Sequence, residues 1–133
     1  MRVRSPRDPG KVAEYVLAAE LLKRGYTPCW PSSAHAPYDI VLATRHGAIR
    51  VQVKGTVTSG KRIAVSCRKM PKERYTINDT DVIAVYLTSE KLWYFIPVEV
   101  DVPTSIYFTR KPDCRWARYQ EAWDIFETVL GAP

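Results

Sequence analysis

The sequence has few of the residues that build metal clusters or disulfide frameworks. It has three cysteines, Cys29, Cys67 and Cys114, with no C-x-x-C among them. An odd number at those spacings argues against a disulfide scaffold and against a structural zinc site. There are two histidines, His35 and His46, whose spacing makes no ligand pair. Long apolar runs are also missing. Residues 12–22 are apolar but contain Glu14 and Glu20, and they are too short to span a bilayer. Neither a signal peptide nor a membrane helix is expected, and the cysteine usage fits an intracellular, cytoplasmic protein. No internal repeat or low-complexity tract is present.

What remains is an ordinary globular composition. Of 133 residues, 46% are hydrophobic and 26% charged. This suits one domain over 1–133, with a core at about 10–126. Lys and Arg outnumber Asp and Glu by 20 to 14, a net charge of +6. The excess points to an anionic partner without naming it. It is concentrated in residues 61–74, where Lys61, Arg62, Arg68, Lys69, Lys72 and Arg74 face a single acid, Glu73. Such a cluster suits phosphate contacts, and Arg110, Lys111, Arg115 and Arg118 could extend the track.

Asp8 followed by Pro9 predicts a helix start, and the apolar spacing predicts a helix over 11–24 that stops at Gly25. A short strand is expected over 26–30, then a loop over 31–37. Residues 38–44 and 48–56 read as a hairpin turning at His46 and Gly47. Further strands are expected at 62–67, 82–87, 92–96 and 105–108, with 70–80 irregular. Residues 116–130 place Trp116, Tyr119, Trp123, Phe126 and Leu130 at helical intervals, an apolar stripe for docking on a sheet. The order predicts an α/β domain with a mixed, mainly antiparallel central sheet flanked by helices.

Within 49–54 the side chains alternate strictly. Ile49, Val51 and Val53 share one face; Arg50, Gln52 and Lys54 share the other, which taken alone fits a solvated sheet face. Asp39 opens the preceding apolar strand, an awkward place for a carboxylate. It either pairs with Lys54, caps the turn, or holds a metal ion. Glu14 has Leu17, Ala18 and Leu21 at i+3, i+4 and i+7, so it lies on an apolar strip and lacks a local partner. It either favours the helix dipole or serves a site.

Three stretches then align: Gly10-x-x-x-Glu14, Tyr38-Asp39-Ile40-Val41 and Val51-Gln52-Val53-Lys54-Gly55. Together they resemble the PD-(D/E)XK nuclease superfamily, and in particular archaeal-type Holliday junction resolvases and homing endonucleases of group I introns. The resemblance implies a restriction-endonuclease-like core. It implies catalytic roles for Glu14, Asp39, Gln52 and Lys54, with Mg²⁺ held by Glu14, Asp39 and Gln52, and Mn²⁺ as a substitute. Two departures stand out. Pro37 precedes Asp39 by two residues, and Gln52 occupies the usual place of a second acid. The intron-associated branch tolerates glutamine there. The implied activity is Mg²⁺-dependent hydrolysis of DNA by a homodimer or larger assembly. Junction resolution is the first expectation, because so short a chain suits reading DNA shape. An intron-type endonuclease cutting duplex DNA, or a non-catalytic DNA-binding module, is the alternative.

Overall fold

A computed structural model describes residues 7–129. Helix α1 spans Pro9–Lys23. The Asp8 carboxylate accepts the Lys11 N–H at 3.0 Å, and Pro9 occupies the first turn. The helix ends where Gly25 adopts a φ of 90°. Strand β1 (Thr27–Cys29) follows, then the hairpin of β2 (Ile40–Thr44) and β3 (Gly47–Thr56). Next come β4 (Arg62–Ser66), β5 (Arg68–Met70) and β6 (Glu73–Arg74). The chain continues through β7 (Val82–Leu87), β8 (Leu92–Pro97), β9 (Ser105–Thr109) and the single-turn helix α2 (Ile125–Thr128).

The central sheet has the order β1-β2-β3-β7-β8, and only the β3–β7 pair is parallel. It is the mixed, mostly antiparallel α/β sheet expected from the sequence. Its two faces are covered differently. On one face α1 and α2 bury Leu17, Leu21 and Phe126 against Ile40, Val51, Val53 and Phe95. On the other, β4 and β9 form a separate antiparallel ribbon. That ribbon packs Ile63, Val65, Ile106 and Phe108 onto Ile83, Val85 and Ile96. Strand β7 is therefore buried at every position, which is why it reads as an unbroken apolar run.

Residues 70–80, expected to be irregular, include a short hairpin of β5 and β6. The helix expected over 116–130 is not continuous. Ala117–Tyr119 make one 3₁₀ turn, and α2 has four residues; Leu130 lies outside the described residues. The break falls at the edge of the sheet. Gln120 bridges to Tyr94, Glu121 takes a φ of 50°, and its N–H donates to the Trp93 carbonyl at 2.8 Å. The Glu121 carboxylate accepts the Trp93 N–H at 2.7 Å. These bonds cap the edge strand β8. They also divide the stripe: Trp116 and Tyr119 join one core, Trp123 and Phe126 the other.

Glycine decides one contact. A Cβ on Gly55 would lie 2.5 Å from the Pro9 carbonyl oxygen and 2.9 Å from the Ala13 Cβ. The missing side chain lets the start of α1 rest directly on β3, one residue past Lys54.

Candidate active site

Strand β3 outlasts its partner. The β2–β3 register ends at Ile40 opposite Val51, while β3 runs on to Thr56. Asp39 stands at this fork, abreast of Gln52. Its N–H donates to the Val51 carbonyl at 2.9 Å, and its Oδ2 accepts the Val53 N–H at 2.8 Å. Asp39 thus takes the place of the next strand residue and fixes its carboxylate against β3. Burial pushes the Asp39 carboxyl above its ordinary value; the Val53 N–H opposes this, Glu14 adds to it, and Lys54 and Lys11 oppose it. The same groups that the sequence singled out, Glu14 and Lys54, therefore act on Asp39 electrostatically.

Glu14 is buried on α1. It has two partners. Trp30 donates its indole N–H to Glu14 Oε1 at 2.7 Å, and the Lys11 ammonium lies 3.5 Å from Oε2. The expectation that Glu14 lacks a local partner is corrected here: Lys11 sits at i−3, on the side of the helix turn opposite to the residues compared in the sequence. Trp30 is a further residue of the site. Its only sequence signal is a lone indole beside a loop rich in Pro, Ser and Ala. A cleft of about 370 Å³ opens over Glu14, Asp39, Lys11, Trp30, Ser32 and Tyr38. Larger hollows lie around Lys61, Glu90 and Arg110, and neither carboxylate lines them.

Gln52 and Lys54 reach the fork from the opposite face of β3, over the β4–β9 side. Gln52 is buried and its amide nitrogen donates to the Val53 carbonyl at 3.4 Å. Among the described residues no hydrogen bond reaches its side-chain oxygen. Lys54 Nζ lies 5.1 Å from the centre of the Tyr75 ring and makes no ion pair among the described residues, a cation–π arrangement that leaves its protons free. Cys67 lies nearby, but burial pushes its thiol up to about 12, so it is no nucleophile. Arg50, on the same face, is a fastening. It binds Asp81 three times, at 2.8, 3.2 and 3.0 Å, and the Ile77 and Asn78 carbonyls at 2.6 and 3.2 Å.

The donor set suits a hard divalent cation. Asp39 Oδ1, the Gln52 oxygen and a Glu14 oxygen are all oxygen donors of the kind Mg²⁺ takes. Among the described residues no cluster of three His, Cys, Asp or Glu is found; the third candidate donor, Gln52, is a neutral amide.

The basic cluster is divided. Arg68, Lys69, Lys72 and Arg74 lie on the β5–β6 hairpin, which springs from Cys67 and Tyr75 beside Lys54. Lys69 pairs with Asp79 at 2.7 Å and Arg74 with Asp101 at 2.8 Å. Arg68 and Lys72 are exposed and make no ion pair among the described residues. Lys61 and Arg62 lie at the other end of β4, with Arg62 stacked over Tyr107 at 4.1 Å. About 16 Å of strand separates Arg62 from Cys67.

The family model for PD-(D/E)XK endonucleases matches residues 4–125. The chain belongs to the PD-(D/E)XK endonuclease family. No curated protein matches it. Among solved structures this PD-(D/E)XK chain is similar to the bacterial homing endonuclease I-Ssp6803I. The identity is 25%, the TM-score 0.78, and 93% of this chain and 92% of that one are covered. It is also similar to Hjc, a Holliday junction resolvase of Archaeoglobus fulgidus. There the identity is 16%, the TM-score 0.49, and the shares covered are 76% and 84%. No described helix is long and apolar enough to cross a membrane.

Proposed function

We propose that this protein is a Mg²⁺-dependent endonuclease that cuts duplex DNA as a homodimer, in the manner of an intron-type homing endonuclease. The observation that carries the proposal is the fork itself: the half-buried Asp39 carboxylate fixed on β3, with Gln52 abreast of it and Glu14 and Lys54 close enough to act on its charge. Likeness to a bacterial homing endonuclease over more than nine-tenths of both chains supports the choice of duplex DNA over a junction. That preference replaces junction resolution, which rested on chain length.

Glu14, Asp39 and Gln52 would hold the ion, with Mn²⁺ as a substitute. Bound there, a divalent ion would polarise the scissile phosphate and lower the pKa of water. Lys54 would hold the attacking water and offset negative charge developing on the phosphate oxygens. Asp39 keeps its geometry through two backbone bonds, so no reorganisation is needed at that carboxylate. Arg68 and Lys72 would meet the DNA backbone next to the site, while Lys61 and Arg62 would meet it farther along. Cutting both strands takes two sites, hence a symmetric pair of chains.

The test uses a randomised duplex library, a four-way junction and a single strand, each with Mg²⁺, each with EDTA, and each with an Asp39→Asn variant. Cut ends recovered from the duplex library by the wild type alone, and lost with EDTA, support the proposal. Symmetric nicks confined to the junction establish resolution instead. Tight binding without cleavage would make the chain a binding module. Cleavage by both proteins would remove Asp39 from the chemistry.

A further inference from the structure

Three of the four tryptophans have a packing role. Trp93 and Trp116 are buried, and Trp123 packs against the α1 face of the core. Trp30 joins neither core and is 48% exposed. Its nearest ring is Tyr15, itself 62% exposed, at 6.3 Å. Its defining contact is polar: the 2.7 Å bond to Glu14 Oε1. A half-exposed indole could satisfy its N–H with water. Here it donates to a buried carboxylate sixteen residues away in sequence.

We infer that Trp30 is a positioning residue for the metal-binding carboxylate of Glu14. The inference rests on the reading that Glu14 is a metal donor. The indole can only donate, so it cannot compete for the ion as a ligand. It carries no charge, so it does not repel a cation. Its bond to a carboxylate is charge-assisted and short. With Oε1 held, Oε2 is the oxygen left for the ion. Lys11 is the only other partner of Glu14 among the described residues, and it approaches that same Oε2. Without the indole N–H, Glu14 is left with an ammonium that opposes cation binding. Partners of this kind typically contribute about 10–100-fold in metal affinity.

The experiment is calorimetric titration with Mg²⁺ at a pH of about 8, where histidine is neutral. Four proteins are compared: wild type, Trp30→Phe, Trp30→His and Glu14→Gln. Phenylalanine keeps the ring bulk and removes the donor. Histidine removes the bulk and places its Nε2 where the indole nitrogen sits. Trp30→Phe should weaken Mg²⁺ binding about 10–100-fold, and Trp30→His should recover most of that loss. Trp30→Phe should still unfold in one cooperative transition, its midpoint lowered only by the lost hydrogen bond to Glu14, because the ring lies outside both cores. Wild-type affinity in Trp30→Phe, or equal weakness in Phe and His variants, overturns the inference. Glu14→Gln separates the two claims. If it binds Mg²⁺ as wild type does, Glu14 is no metal donor and the inference falls with it. If Glu14→Gln is weakened and Trp30→Phe is not, Trp30 alone is excluded.

Discussion

Gly55→Ala tests whether the contact between α1 and β3 assembles the site. The new Cβ would sit 2.5 Å from the Pro9 carbonyl oxygen, where ordinary contact begins at 3.4 Å. Pro9 and Ala13 are backbone and β-carbon atoms, so neither can swing aside. The start of α1 must therefore retreat by about 0.9 Å, and Glu14 moves with it, away from Asp39. Overpacking of this kind costs about 1–3 kcal/mol. At about 3–5 °C per kcal/mol for a chain of this size, the melting midpoint should fall by about 3–15 °C. A misplacement near 1 Å also costs about 100-fold in turnover. Gly10→Ala supplies the opposite sign at the same end of the helix. Its Cβ would meet only Asp8 Oδ1, at 3.6 Å, and alanine within a helix gains about 0.5–1 kcal/mol over glycine. Differential scanning calorimetry and Mg²⁺ titration read both variants. If Gly55→Ala melts with wild type and binds Mg²⁺ equally well, the close approach does not build the site.

Further outcomes are expected at Asp39 and on the basic hairpin. Asp39→Asn should stabilise the protein while abolishing cleavage, because burial and Glu14 make the ionised carboxylate unfavourable in the fold. The sign follows from its raised value. In the wild type, stability should increase as pH falls through the folded-state value of Asp39 towards its ordinary 3.8, and Asp39→Asn should flatten that rise in denaturant melts. Arg68→Ala should reduce the slope of log DNA affinity against log salt by about 0.9, one phosphate contact. Lys69→Ala should change that slope less and lower stability instead, since Lys69 is engaged with Asp79; equal slopes for the two variants would refute the division of the basic hairpin.

Much of the scaffold was legible from local signals. Asp8, Pro9 and Gly25 bound α1, and strict alternation in 49–54 separated the faces of β3. Asp39 stands out locally as a carboxylate opening an apolar strand, whereas Gln52 and Lys54 by themselves fit a solvated strand face and are marked only by the resemblance to PD-(D/E)XK nucleases. What escaped was set by distant partners. Nothing near Trp30 in sequence indicates that its N–H meets Glu14. Lys69 and Arg74 read as free charge until Asp79 and Asp101 came beside them. The 116–130 stripe has true helical spacing, yet Gln120 and Glu121 prefer the open edge of β8, and the aromatics serve both faces of the sheet.

The fork at the end of β2 has a practical consequence. An exposed strand edge would ordinarily be completed by another strand, and here Asp39 completes it with one side chain. The same carboxylate therefore has two duties, one towards its own backbone and one proposed towards a metal ion. Removing it with alanine would strip the acceptor from the Val53 N–H and confound a lost activity with a loosened sheet. Asparagine keeps an oxygen on that N–H. An inactive control built this way isolates the charge from the architecture.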